Sequence, residues 1–88
     1  MLPIIICNFT IMWQTINNKL YQKFEFKNFI EAFGFITQVA ILAEKANHHP
    51  TFTNTYNKVE IMLTTHDAGN TVTDKDLQLA AQIDALIK

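Results

Sequence analysis

A two-layer α+β domain, in which a four-stranded antiparallel sheet carries its helices on one face, is the fold class this sequence predicts. Two observations carry the prediction. Two short stretches, residues 20–26 and 59–64, alternate apolar with polar side chains, the period of a half-buried strand. Two longer ones, opening at Asn28 and at Thr73, begin with a capping-box pattern and continue with apolar residues spaced by three and four, as amphipathic helices do. The resulting order is β-β-α-β-β-α, and two hairpins with two such helices suit a sheet covered on one side.

In the first alternating stretch Leu20, Phe24 and Phe26 share one parity, and Lys23, Glu25 and Lys27 take the other. Upstream, Thr10 to Ile16 holds apolar and β-branched residues and would pair with it across Asn17-Asn18, a turn-forming dipeptide, giving an opening hairpin. Asn28 with Glu31 then starts a long helix, on which Phe29, Phe33, Ile36, Ala40 and Ala43 recur at spacings of four and three. Phe35, Val39 and Leu42 widen that stripe almost around the cylinder, which predicts burial against the sheet on one side and against a subunit on another. Pro50 cannot continue a helix and pushes His49 toward extended backbone, so the helix should end around Asn47-His48-His49.

Thr51 to Tyr56 reads as the third strand. Val59, Ile61 and Leu63, alternating with Glu60, Met62 and Thr64, form the fourth, with Asn57-Lys58 near the turn. Thr73, with Asp76 three residues on, opens a closing helix whose Leu79, Ala80, Ile83, Leu86 and Ile87 lie on one face. Trp13 and Tyr56 are flat enough to stack on a planar ligand, but aromatic residues at strand ends more often pack in the core, and core packing is the expectation for both.

No Pro/Gly/Ser linker, repeat or low-complexity tract divides the 88 residues, so residues 1–88 are read as one domain. A chain this short buries a modest share of its surface. With 49% hydrophobic residues and seven Phe, part of its apolar surface is expected to meet another copy. A net charge of −1 with scattered Lys and Arg provides neither the basic stripe of a nucleic-acid binder nor a polybasic membrane patch. Cys7 is the single cysteine and cannot form an internal disulfide. No basic segment precedes Leu2 to Ile6 to make a signal peptide, and no apolar run approaches the roughly 18 residues of a membrane span. A cytoplasmic protein is expected.

Its three histidines converge. In a hairpin turning near Asn57, residues equally distant from the turn are neighbours. Counting outward sets His48 opposite His66, with His49 within one pleat. Imidazole donates or accepts a proton near neutral pH, so the corner reads as an acid/base site. A single histidine in a strand would more often be a surface or satisfied core residue. Zinc fits the three poorly, because His48 and His49, adjacent in extended chain, point to opposite sides and no HExxH or Cys pair completes a tetrahedron.

The stretch Glu44-Lys45-Ala46-Asn47-His48-His49-Pro50, followed by Tyr56-Asn57-Lys58-Val59 and Thr64-Thr65-His66-Asp67, resembles the signature of the pterin-4a-carbinolamine dehydratases. That pattern asks for an acidic or similar residue, three positions, His-His-Pro, a nearby aromatic, nine positions, His, and later an Asp, here Asp76. Phe24-Glu25-Phe26, Asn28-Phe29, Val39-Ala40, Ala43-Glu44, Leu79-Ala80 and Ile83-Asp84 agree as well, and the resemblance spans roughly residues 13 to 86. It departs from the family in two places. Met1 to Met12 does not look like the usual polar first helix, which is absent or altered, and Gly69-Asn70-Thr71-Val72-Thr73 is one residue longer than the usual turn.

The resemblance implies a 4a-hydroxytetrahydrobiopterin dehydratase, a hydro-lyase that needs no cofactor and no metal. It would convert 4a-hydroxytetrahydropterin to quinonoid dihydropterin and water. It implies His48 and His66 as acid and base, His49 as a further site histidine that binds and orients the pterin, and Pro50 with Thr65-His66-Asp67, extended to Ala68, as the pocket wall. Glu44, one helical turn before His48, would orient that imidazole or raise its pKa, or be a solvated helix residue. Asp76 would bond an active-site imidazole or complete the capping box with Thr73, and capping is the favoured role on sequence grounds. Members of the family also act as dimerisation cofactors of a homeodomain transcription factor, so a homodimer or homotetramer and a helical protein partner are implied, and a non-catalytic binding module using the helix face is the alternative function.

Overall fold

Asn17 and Asn18 both adopt left-handed backbone, at φ 53° and 65°, as a two-residue hairpin turn of the I′ kind requires. They join β1 (Gln14–Ile16) to β2 (Lys19–Glu25), with Ile16 opposite Lys19. The computed structural model describes residues 13–87. The unusual N-terminal stretch and the part of the expected first strand before Trp13 lie outside the described residues.

Asn28, extended at φ −156°, accepts the Glu31 backbone N–H at 2.9 Å and caps α1 (Phe29–Ala46). The reciprocal half of the expected box is displaced by one residue, since the Glu31 carboxylate accepts from the backbone N–H of Lys27. The buried face of α1 is Ala32, Phe35, Ile36, Val39 and Ala43. Phe29, Phe33 and Ala40, expected on the main stripe, are exposed beside Ile30, which is 81% exposed, and Ile41. A helix apolar nearly all round does not reveal by spacing alone which side meets the sheet.

Asn47, in left-handed backbone at φ 51°, ends α1 by returning its N–H to the carbonyls of Ala43 and Glu44. After Pro50 the chain forms β3 (Thr51–Thr55), turns at Tyr56-Asn57 and returns as β4 (Lys58–Leu63), with Thr55 opposite Lys58 and Thr51 opposite Met62. Since β4 also pairs with β2, Phe24 facing Val59 and Leu20 facing Leu63, the sheet order is β1-β2-β4-β3, antiparallel throughout. A 3₁₀ turn at His66–Ala68 leads to α2 (Asp74–Ala85), which opens with the expected Thr73–Asp76 capping box.

Strand parity decides the layers. Leu20, Gln22 and Phe24 of β2 and Val59, Ile61 and Leu63 of β4 are all buried, together with Phe35 and Val39 of α1 and Leu79 and Ile83 of α2. Each large apolar side chain so enclosed contributes about 1.5–3 kcal/mol. The opposite parity, including Lys23, Glu25, Lys58 and Glu60, faces away from the helices. Both helices therefore cover one face, as the alternating strands predict. Trp13 packs edge-on to Phe24 with centroids 5.9 Å apart, and its indole N–H donates to the Asp84 carboxylate at 3.1 Å. Tyr56 does not pack in the core. It is 62% exposed, because it occupies the hairpin turn beyond the end of the sheet. No helix among the described residues is long and apolar enough to cross a membrane.

Candidate active site

Where β3 begins and β4 ends, three loops meet: the α1 exit bearing His48 and His49, the segment Thr65–Ala68, and the start of α2. The expected facing of His48 and His66 is not a strand pairing. The register sets Thr51 against Met62 and the β3–β4 ladder stops there, and the same register carried outward would bring Thr65, not His66, opposite His48. The turn is centred between Tyr56 and Asn57, half a residue from the point used for counting, and half a residue at a turn becomes one residue across a ladder.

What joins the corner is Asp76. Its side chain is 0% exposed, and its Oδ1 lies 2.6 Å from His48 Nε2. Its Oδ2 accepts from the Thr73 backbone N–H at 2.8 Å and from the Thr65 hydroxyl at 2.7 Å. An ionised carboxylate only accepts, so the His48 proton sits on Nε2 and Nδ1 is left for other chemistry. The order of hydroxyl protons follows as well. Thr65 Oγ1 is also 2.7 Å from Thr73 Oγ1, and because the single Thr65 proton goes to the carboxylate, Thr73 is the donor to Thr65. Asp76 thus fills both roles weighed for it, helix cap and imidazole partner.

Burial is the largest influence on the Asp76 carboxyl and pushes its pKa up. The hydrogen bonds from His48, Thr73 and Thr65 and the charge of His48 outweigh it, leaving the carboxyl below its ordinary range. The His48 side chain is 11% exposed, and its backbone N–H returns to the Ala43 carbonyl at 3.0 Å, so ring and backbone are both held.

Glu44 does not reach His48. Its Oε1 lies 3.0 Å from His49 Nε2, with the carboxylate 82% exposed. The one-turn spacing would match Glu44 to His48 in a continuing helix, but the left-handed Asn47 ends the helix first. His66 is exposed, and its Nδ1 lies 2.6 Å from Oδ1 of Asn70. Asp67 and Ala68 are exposed beside it, Pro50 is half-buried, and Thr65 is buried. Each histidine thus has its own oxygen partner. His48 connects through Asp76 to Thr65, the chain neighbour of His66.

Thr73 and Asn70 did not emerge as site residues from sequence reasoning. Thr73 was visible only as a cap. Asn70 had one signal, an Asn following Gly in a loop, the residue type that accepts left-handed backbone next after glycine. Among the described residues no group of three or more His, Cys, Asp or Glu side chains is placed to hold a metal ion. A recess of about 200 Å3 on the helix-free face is lined by Lys23, Thr53, Thr55, Lys58 and Glu60, none of them a residue of the histidine corner.

Known proteins are similar to this chain in sequence and fold. Two bacterial relatives named "Putative pterin-4-alpha-carbinolamine dehydratase" are similar to the chain. That of Solibacter usitatus (strain Ellin6076) is 54% identical over 84% of this chain and 77% of its own length. That of Prochlorococcus marinus (strain NATL2A) is 53% identical over 85% and 78%. Among solved structures, a transcriptional coactivator/pterin dehydratase from Brucella melitensis superposes with a TM-score of 0.81 at 40% identity, covering 86% of this chain and 82% of that one. A pterin dehydratase-like protein described as a RuBisCO assembly factor in the alpha-carboxysome superposes with a TM-score of 0.69 at 25% identity, covering 86% and 87%. The sequence profile of Pterin 4 alpha carbinolamine dehydratase matches residues 8–86, a span that holds both hairpins, both helices and all three histidines, and the chain belongs to that family.

Proposed function

We propose that the protein is a dehydratase that converts 4a-hydroxytetrahydropterin to quinonoid dihydropterin and water. The observation that carries this reading is the buried Asp76–His48 pair, linked through Thr65 to His66, in a chain of this family. The reaction is an elimination. The C4a–O bond breaks as a proton is delivered to the departing hydroxyl, and the adjacent ring nitrogen loses its proton as its lone pair closes the new C=N bond. No electrons are exchanged with a second reactant, so an acid and a base positioned on the two sides of the bond are enough.

In this reading His48 and His66 exchange the protons and His49 orients the pterin, with Pro50 and residues 65–68 forming the wall. Asp76 holds the His48 ring and stabilises its imidazolium. Glu44 supports His49. The test follows the absorbance decay of freshly generated 4a-hydroxytetrahydropterin, with spontaneous dehydration as the blank. Wild type should accelerate it, and His48→Ala or His66→Ala, folded by circular dichroism, should each lose on the order of 100-fold of that acceleration. Decay equal to the blank with wild type would remove the dehydratase reading.

A second reading, a partner-binding module, is favoured by the exposed Phe29, Ile30, Phe33 and Ile41 on α1 and by the coactivator and assembly-factor descriptions of the two structural relatives. We infer that this face joins copies of the chain into a homodimer or homotetramer, or receives a helical partner. Light scattering of wild type and Ile30→Glu tests the first arrangement, with a smaller particle expected for the variant.

A further inference from the structure

The loop that follows the 3₁₀ turn at His66–Ala68 delivers a side chain to His66. Gly69 at φ 84° and Asn70 at φ 59° are consecutive left-handed residues. The turn they make is anchored by backbone bonds from Gly69 N–H to the His66 carbonyl at 3.0 Å and from Asn70 N–H to the Thr65 carbonyl at 3.0 Å. Thr65 and Thr71 close it with an antiparallel bridge. So folded, the loop brings Asn70 Oδ1 to 2.6 Å from His66 Nδ1.

We propose that Asn70 is a positioning residue that holds neutral His66 in its Nδ1–H tautomer, presenting the bare Nε2 lone pair as the proton acceptor of the site. An amide oxygen can only accept, so the short contact requires the proton on Nδ1. When Nε2 takes a second proton, the Nδ1–H···O bond persists and becomes charge-assisted. Asn70 therefore favours both the form that takes the proton and the form that results. The catalytic half of this assignment rests on the dehydratase reading, while the tautomer does not.

The test uses the full-length chain labelled with ¹⁵N, at a pH where the imidazoles are neutral. Long-range proton–nitrogen correlation distinguishes a protonated ring nitrogen from a bare one. Wild-type His66 should show Nδ1 protonated and Nε2 bare. Asn70→Gly keeps the left-handed backbone without strain and removes the amide, so its His66 should move toward the Nε2–H form. Asn70→Asp, which keeps an oxygen at the position, should restore the wild-type pattern. Dehydration should fall roughly threefold to tenfold in Asn70→Gly, the factor that one hydrogen bond of ordinary net strength sets on an equilibrium, and recover in Asn70→Asp. A wild-type His66 protonated on Nε2, or a tautomer unchanged in Asn70→Gly, overturns the proposal. If wild type fails to accelerate dehydration, the dehydratase reading falls, and the nitrogen spectrum still decides the tautomer.

Discussion

His48 and His49 are adjacent in the chain, and each faces a carboxylate, yet the two pairs differ in nearly every physical respect. His48 meets the fully buried Asp76 at 2.6 Å, and His49 meets the largely exposed Glu44 at 3.0 Å. In the first pair the carboxylate has two further donors and no exposed surface, so its geometry is determined by the fold. In the second, water competes for every bond and salt screens the charge, which limits such pairs to about 0–1 kcal/mol. An imidazole–carboxylate contact is therefore informative about function through its surroundings more than through its distance.

The largest test of this contrast is Asp76→Ala. It removes the N3 member of the capping box and strands the Thr65 hydroxyl and the His48 ring, and a loss of about 3 kcal/mol in unfolding free energy is expected by urea titration. Asp76→Asn is milder, at about 1–2 kcal/mol. Whichever way the amide turns, either His48 faces an N–H or the Thr65 and Thr73 donors do, and with the N–H toward His48 the histidine must change tautomer. Pterin dehydration should accordingly fall on the order of tenfold or more in Asp76→Asn, measured against an unchanged blank.

Acidity sharpens the same contrast. The Asp76 carboxyl ionises more readily in the folded chain than its ordinary value, so its contribution is complete above the unfolded pKa of about 3.9 and is lost as pH falls through the lower folded value. The urea midpoint of wild type should drop between pH 5.5 and pH 2.5 by more than that of Asp76→Asn, and equal drops would assign the acid sensitivity to other carboxyls. The smallest effect belongs to Glu44→Gln, which should leave stability within about 0.5 kcal/mol of wild type and dehydration within about twofold, the size of a weak exposed contact.

Much of the architecture was legible because its signals are local. The parity of residues 20–26 and 59–64, the Asn17-Asn18 turn and the caps at Asn28 and Thr73 each depend on a few neighbours, and all appear in the fold. The misread parts depend on several residues at once. Phe29 and Phe33 share the expected apolar stripe with Ile36 and Ala43 because α1 is apolar on nearly every side, and only the sheet's position selects Phe35 and Val39 for burial. Glu44 was paired with His48 by a helical spacing that Asn47 ends first. The sequence offers Asp76 as an imidazole partner but not which imidazole it meets, since it reaches His48 from α2 across 28 positions of sequence.

Turns made by asparagine have a consequence outside the folded molecule. Asn17, Asn18, Asn47 and Asn70 occupy left-handed backbone in a chain with only two glycines. Glycine would accept each position with less strain, but it would also enlarge the set of conformations open to the denatured chain, an effect of about 0.4–1 kcal/mol per site. By carrying a side chain at these corners, the protein limits the disorder from which folding starts, and each asparagine acts on stability before any native contact has formed.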